Sequence, residues 1–214
     1  MKKICDFVCN HFCFGLDRAA LVSLLTLFLI IPAMMFLPER YGYENGLLEN
    51  IQMVVLFVGV YFAFNPKVDK KFFNFVAMVL IILIIREVNC GRTIFFAIPG
   101  EENAFYRWSE IKYGWLAHPI YGLYMAYVAF YFFKNKLFVK LWEKLRDIKF
   151  PVWNFILMLI GIIGGLYGEE IHNMVVEEAT ELLFYVALVG FVYLYSRNKK
   201  FIDCYNLTHR TRFN

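Results

Sequence analysis

Six apolar stretches of membrane-spanning length recur along this 214-residue chain, and they constrain its fold more than any other feature. They cover residues 19–37, 46–64, 72–89, 116–133, 152–168 and 175–196. A helix needs about 20 predominantly apolar residues to cross the hydrocarbon core. Lipid offers the backbone no hydrogen-bonding partner, so such stretches cross as helices or not at all. The expectation is an all-α bundle of about six transmembrane helices, forming a single integral membrane domain over residues 1–214. Composition agrees: 60% of residues are hydrophobic and 20% aromatic, and mean hydropathy is +0.53. An ordinary soluble domain is nearer about 45–50% apolar.

The boundaries are punctuated. Pro38 and Gly42 follow the first stretch, Asn65-Pro66 closes the second, and His118-Pro119 opens the fourth, where proline suits a first helical turn. Positive residues precede the first stretch and no small-residue cleavage site follows it, so it reads as a retained signal anchor. Residues 1–18 carry Ile4, Phe7, Val8, His11 and Phe12 at helical spacing, predicting a short amphipathic helix on the membrane surface. Phe105, Trp108, Ile111 and Trp115 predict a second interfacial helix held by its aromatics. Residues 134–150 set Leu137, Leu141, Leu145 and Ile148 in a stripe flanked by Lys136, Lys140, Lys144 and Arg146. That pattern favours an anionic lipid surface. A nucleic-acid partner would leave the stripe exposed and is not expected. Cys5, Cys9, Cys13, Cys90 and Cys204 fit neither a disulfide framework nor the usual zinc spacings.

Charge is distributed unevenly. With the N-terminus inside, most of the 22 lysines and arginines fall on inner segments: the N-terminus, the loop 67–71, residues 134–149 and the tail. Positive-inside therefore favours an N-in, C-in chain with six spans. The same threading sends most of the 18 acids outward. Glu49, Gln52, Arg86, Glu87, Asn89, His118, Glu169, His172, Glu177, Glu178 and Glu181 then lie near the outer ends of five spans. Ionisable groups at membrane depth are costly and mark functional sites by default. Arg86 is the natural partner for some of the carboxylates, since its planar fork satisfies two oxygens at once. One arginine cannot pair with Glu49, Glu87, Glu169, Glu177, Glu178 and Glu181 together. The surplus must reach headgroup water, carry protons, or hold a cation. Gly161, Gly164, Gly165 and Gly168 form a small-residue face for close approach of another helix, within the chain or in a homo-oligomer.

Three segments carry a resemblance: ENGLLE at residues 44–49, REVNCGRTIF at 86–95 and EEATE at 177–181. Together they resemble an uncharacterised family of bacterial multipass inner-membrane proteins with the pattern E-D/N-G-x-x-E, R/E-E-x-S/N-W-G-R/Q, E-E-x-x-E. The resemblance implies a bacterial inner-membrane location and marks Glu44, Glu49, Arg86, Glu87, Gly91, Arg92, Glu177, Glu178 and Glu181. It implies no reaction. Cys90 stands where the pattern has tryptophan, and the N-x-Q-x-E…H-N stretch of some members is missing.

These residues support several readings. A divalent cation held by Glu169 and His172, with Glu178, Glu181, Glu87 and Glu49 completing the shell, would serve a small transporter or channel, or a metal-dependent intramembrane enzyme acting on lipid. Glu169-x-x-His172 has the spacing of helix-bundle carboxylate sites, though those use two such pairs. H-E-x-x-H and G-x-S-x-G are absent. The alternative is a structural or interaction network of Arg86, Glu87, Asn89, Arg92, Glu49, Gln52, Glu177 and His118, packing the helices or receiving a membrane partner. Haem between His118 and His172 is the weakest option. Glu101, Glu102, Glu110 and Glu170 are expected to be solvated, and His11 and His209 to be surface residues.

Overall fold

The computed structural model describes residues 12–139, 141 and 150–197. The fold is all-α. Its long helices are α1 (Arg18–Phe36), α2 (Leu47–Phe64), α3 (Lys70–Glu87), α5 (Ala117–Lys134), α6 (Val152–Glu170) and α7 (Met174–Arg197), with a one-turn helix α4 (Arg92–Phe95) after α3. Among the described residues, four segments are long and apolar enough to cross a membrane: Arg18–Phe36, Glu39–Phe64, Gly114–Lys134 and Val152–Glu170. A fifth is counted if Lys70–Glu87 and Asn89–Phe95, bent by 55°, are one span.

The bundle is built around α7. Helices α6, α2 and α1 pack along it, α3 lies on α2, and α5 lies outermost against α3. Val128 is the one buried residue of α5. Leucine, valine and alanine of α7 fill two apolar clusters. Ala179, Leu183 and Ala187 pack with Ile30, Leu48 and Leu157, and Tyr185 and Val192 pack with Leu56, Ala63, Phe73, Ala77 and Leu80. The glycine face of α6 meets α7. A Cβ on Gly161 would lie 2.6 Å from the Phe184 backbone nitrogen, and one on Gly168 would lie 2.5 Å from that of Glu177. This face is therefore consumed within the chain. Helix starts follow capping chemistry. Asp17 accepts from the Ala20 N–H at 2.8 Å and Asn173 from the Val176 N–H at 3.1 Å.

All helix ends divide between two poles. Arg18, Phe64, Lys70, Lys134, Val152 and Arg197 mark a basic end; Phe36, Leu47, Glu87, Ala117, Glu170 and Met174 mark an acidic end.

Three local expectations fail. Residues 12–17 are not helical. Phe12–Cys13 forms a two-residue parallel pair, β1, with Phe150–Pro151, β2. Phe12 packs its ring on Phe150 at 6.2 Å, and the Trp153 indole N–H donates to the Phe14 carbonyl at 2.8 Å. Aromatic pairing there outweighs the helical spacing. The interfacial helix over 105–115 does not form either. Ala97 bridges Phe105, Glu110 accepts from the Arg107 N–H at 2.8 Å, and Tyr113 has φ of 66°. Side-chain capping of a turn and a left-handed residue leave only a 3-10 turn, Gly114–Leu116. Finally, the third stretch does not run straight to Asn89. Asn89, Cys90 and Gly91 all have positive φ and turn the chain after Val88.

Other expectations lie outside the described residues: the amphipathic pattern over 1–11, most of the basic stripe over 134–150 with its anionic lipid surface, the tail from 198 onward, and Cys5, Cys9, Cys204, His11 and His209.

Candidate functional site

Some of the polar groups of the acidic end meet on one face of α7. Glu181 and Tyr185 are one helical turn apart and therefore point the same way. Opposite them, Arg86 and Glu87 end α3. The Arg86 guanidinium contacts the Glu87 carboxylate at 3.0 Å and the Glu181 carboxylate at 3.2 Å. The Tyr185 hydroxyl donates to Glu87 Oε1 at 2.5 Å. Tyr185 is fully buried, and the Glu87 side chain is 7% exposed against 57% for Arg86. Glu87 is thus held by a phenol from α7 and by the guanidinium preceding it, and Arg86 fastens α3 to α7. The chain turn beyond Glu87 keeps both groups on the bundle.

A second connection comes from α2. The Gln52 amide N–H donates to the Glu178 carbonyl and to its carboxylate, both at 2.8 Å. Gln52 is completely buried, and its Oε1 has no partner among the described residues. Glu49, one turn earlier, is buried and accepts from the Asn45 N–H. Glu49 sits at the N3 position of a helix whose N-cap is Gly46 and reaches the N–H one residue before that cap, tying the incoming chain to the first turn. Glu49 therefore sets the start of α2.

A third cluster organises the turn after α3. With its amide oxygen toward Arg92, Asn89 accepts from Arg92 Nη2 at 2.8 Å and Nε at 3.2 Å. Arg92 also lies 3.9 Å from the Glu44 carboxylate. Asn103 accepts from the Glu44 N–H at 3.0 Å and donates to the Met174 sulfur at 3.9 Å. Loop 101–104, the start of α2 and the start of α7 are tied together this way.

The expected residues therefore separate. Arg86, Glu87 and Glu181 meet, as do Gln52 and Glu178, and as do Asn89, Arg92 and Glu44. Glu169 and His172 do not share a helical face. Helix α6 ends at Glu170, and His172 has φ of 53° in the turn to α7. His118 packs against Trp108, ring centroids 5.7 Å apart, and among the described residues it makes no hydrogen bond or ion pair with the network. Glu177 lies on the seam facing Gly168. Among the described residues, no group of three or more His, Cys, Asp or Glu side chains is disposed to hold a metal ion. Composition arguments missed Tyr185, because a tyrosine in an apolar helix gives no signal of its own. Its offset of four from Glu181 was the available clue. They also missed Asn154 and Ser23, buried near the basic end and joined at 3.2 Å.

Chemically, the cluster is rich in acceptors. Glu49, Glu87, Glu178 and Glu181 gather near α7, and among the described residues Arg86 contacts two of them, Glu87 and Glu181. Such a set can fix helices by hydrogen bonding or accept a proton or cationic group. No family model, curated protein or solved structure matches the chain.

Proposed function

We propose that this chain is a multipass protein of the bacterial inner membrane, with six spans and both termini inside, in which the acidic end serves as an interhelical network. The bridge from Arg86 to Glu87 on α3 and Glu181 on α7 carries this reading. It joins two helices far apart in sequence through groups that neither lipid nor apolar packing could replace. Gln52 adds α2 to the same partner helix. The family resemblance of the three acidic segments supports it, since Glu44, Arg86, Arg92 and Glu181 all take part in contacts between elements. Positive-inside counting supports the orientation, with the Lys67, Lys70 and Lys71 loop inside.

A second reading, a cation- or proton-handling layer, is favoured by one observation. Among the described residues, Glu178 and the unpartnered Oε1 of Gln52 present acceptors with no cation in contact. The two readings divide on Glu178→Gln. A network keeps its Gln52 contact with a neutral amide, so the variant folds and supports growth like wild type. A cation-handling layer loses its function while the protein still folds. Cysteine accessibility in right-side-out vesicles tests the topology. A cysteine at position 102 should react with an impermeant thiol reagent and one at position 70 should not. Labelling in the reverse order refutes the orientation.

A further inference from the structure

Helices α1 and α2 both lie along α7 but scarcely touch each other. Toward the acidic end the gap is closed by Ile30 and Leu48, which share an apolar cluster. Toward the basic end it stays open as a cleft of about 350 Å³. Val22 of α1, Val54, Val58 and Phe62 of α2, and Val186 and Val189 of α7 line it. Gly190 lowers its floor, and β-branched side chains, stiff at χ1, hold its walls. Val22, Val54 and Val58 remain exposed although they face one another across the gap.

The mouth of the cleft is cationic. Arg18 lines it, is exposed, and has no ion-pair partner among the described residues. Arg197 lies over the ring of Phe62, 5.4 Å from its centroid, with its Nε donating to the Asn65 carbonyl at 3.4 Å. Phe62 in turn packs on Tyr193, another lining residue, at 5.2 Å. One guanidinium, Arg18, thus lines the apolar slot and a second, Arg197, lies against its Phe62 wall; on the membrane reading above, both stand at headgroup level on the inner side.

We infer that this cleft binds one anionic phospholipid, with an acyl chain between α1 and α2 and its phosphate on Arg18 and Arg197. The inference rests on the membrane reading above. An apolar chain fits a slot that is nearly all hydrocarbon, and guanidinium is the side chain that best matches a phosphodiester. A neutral lipid or detergent tail would fill the slot but leave the two cations unanswered.

Native mass spectrometry of the detergent-purified full chain tests this. Dioleoyl phosphatidylglycerol and dioleoyl phosphatidylcholine are titrated separately. Wild type should retain one phosphatidylglycerol in preference to phosphatidylcholine. The R18Q/R197Q double variant should lose about tenfold or more of that preference, from roughly one favourable contact per cation. Val58→Trp, which fills the slot, should lose the tightly held lipid altogether. Leu123→Trp, on the exposed face of α5, should bind like wild type. Melting and monodispersity are checked for every variant. Equal retention of both lipids by wild type, or unchanged retention in folded Val58→Trp, overturns the inference. Alkaline extraction of native membranes separates this failure from that of the parent reading. A chain released into the supernatant refutes the membrane reading, whereas one kept in the pellet leaves only the lipid site at stake.

Discussion

Replacing Arg86 by alanine should destabilise the fold through what it leaves behind. The substitution removes contacts at 3.0 Å to Glu87 and 3.2 Å to Glu181. Glu181 is 25% exposed and can draw on headgroup water, but Glu87 is 7% exposed and keeps only the Tyr185 hydroxyl. Breaking a fully buried ion pair costs about 3–5 kcal/mol. Interhelical polar contacts in membranes are worth about 0.6–2 kcal/mol each. The Arg86 side chain is more than half exposed, so water already offsets part of the loss, and a value of about 2 kcal/mol follows from these limits. For a protein of this size that is roughly 4–8 °C in Tm. Thermal unfolding in mild detergent, followed by tryptophan fluorescence, measures it. The informative partner is Glu87→Gln. In the double variant no orphan carboxylate remains beside Tyr185, so it should be about 1 kcal/mol more stable than the two single effects summed. An Arg86→Ala protein melting with wild type, or a strictly additive double variant, would refute the idea that this network fastens α3 to α7.

Three further outcomes follow from the packing. Gly161→Val should abolish folding or cost more than about 3 kcal/mol, because the new side chain meets α7 backbone at 2.6 Å and neither helix can yield; Gly122→Ala, with nothing within 4 Å, should melt like wild type or slightly higher. Tyr185→Phe keeps the packed ring but removes a donor from Glu87, so a loss of about 1–2 kcal/mol is expected in the same melts. Ser23→Ala strips the hydroxyl that reaches Asn154, whose Nδ2 already lacks a partner among the described residues, and should lower stability by about 1–2 kcal/mol; unchanged melting would mean the Asn154 amide finds water.

The resemblance segments illustrate how much of the candidate site could be read in advance. Glu44, Arg86, Arg92 and Glu181 could be picked out because charge at the margin of an apolar stretch is conspicuous. That Arg86 pairs with some of the carboxylates was legible too; which ones it takes, Glu87 and Glu181, was not. Glu49, placed by its charge in both the cation shell and the polar network, accepts from the Asn45 N–H just upstream of its own helix. Glu169 and His172 had ligand spacing only if the helix continued past Glu170. The turn at Ile171 to Asn173 ended it, and Asn173 was needed to start α7.

The sequence by itself determined that the chain is helical, where its apolar helices run to within a few residues, and that its acids gather toward one end. Those properties are local: hydropathy and period are sums over neighbours along the chain. Only the tertiary structure decided which helix lies at the centre, that α3 turns sharply after Val88, that Tyr185 joins the polar network, and that Gln52 pairs with Glu178. Pairings of that kind depend on the rotation and neighbours of each helix. These are set when Gly161 and Gly168 let α7 approach α6, when α1 and α2 settle along α7, and when α3 then packs on α2 and α5 on α3.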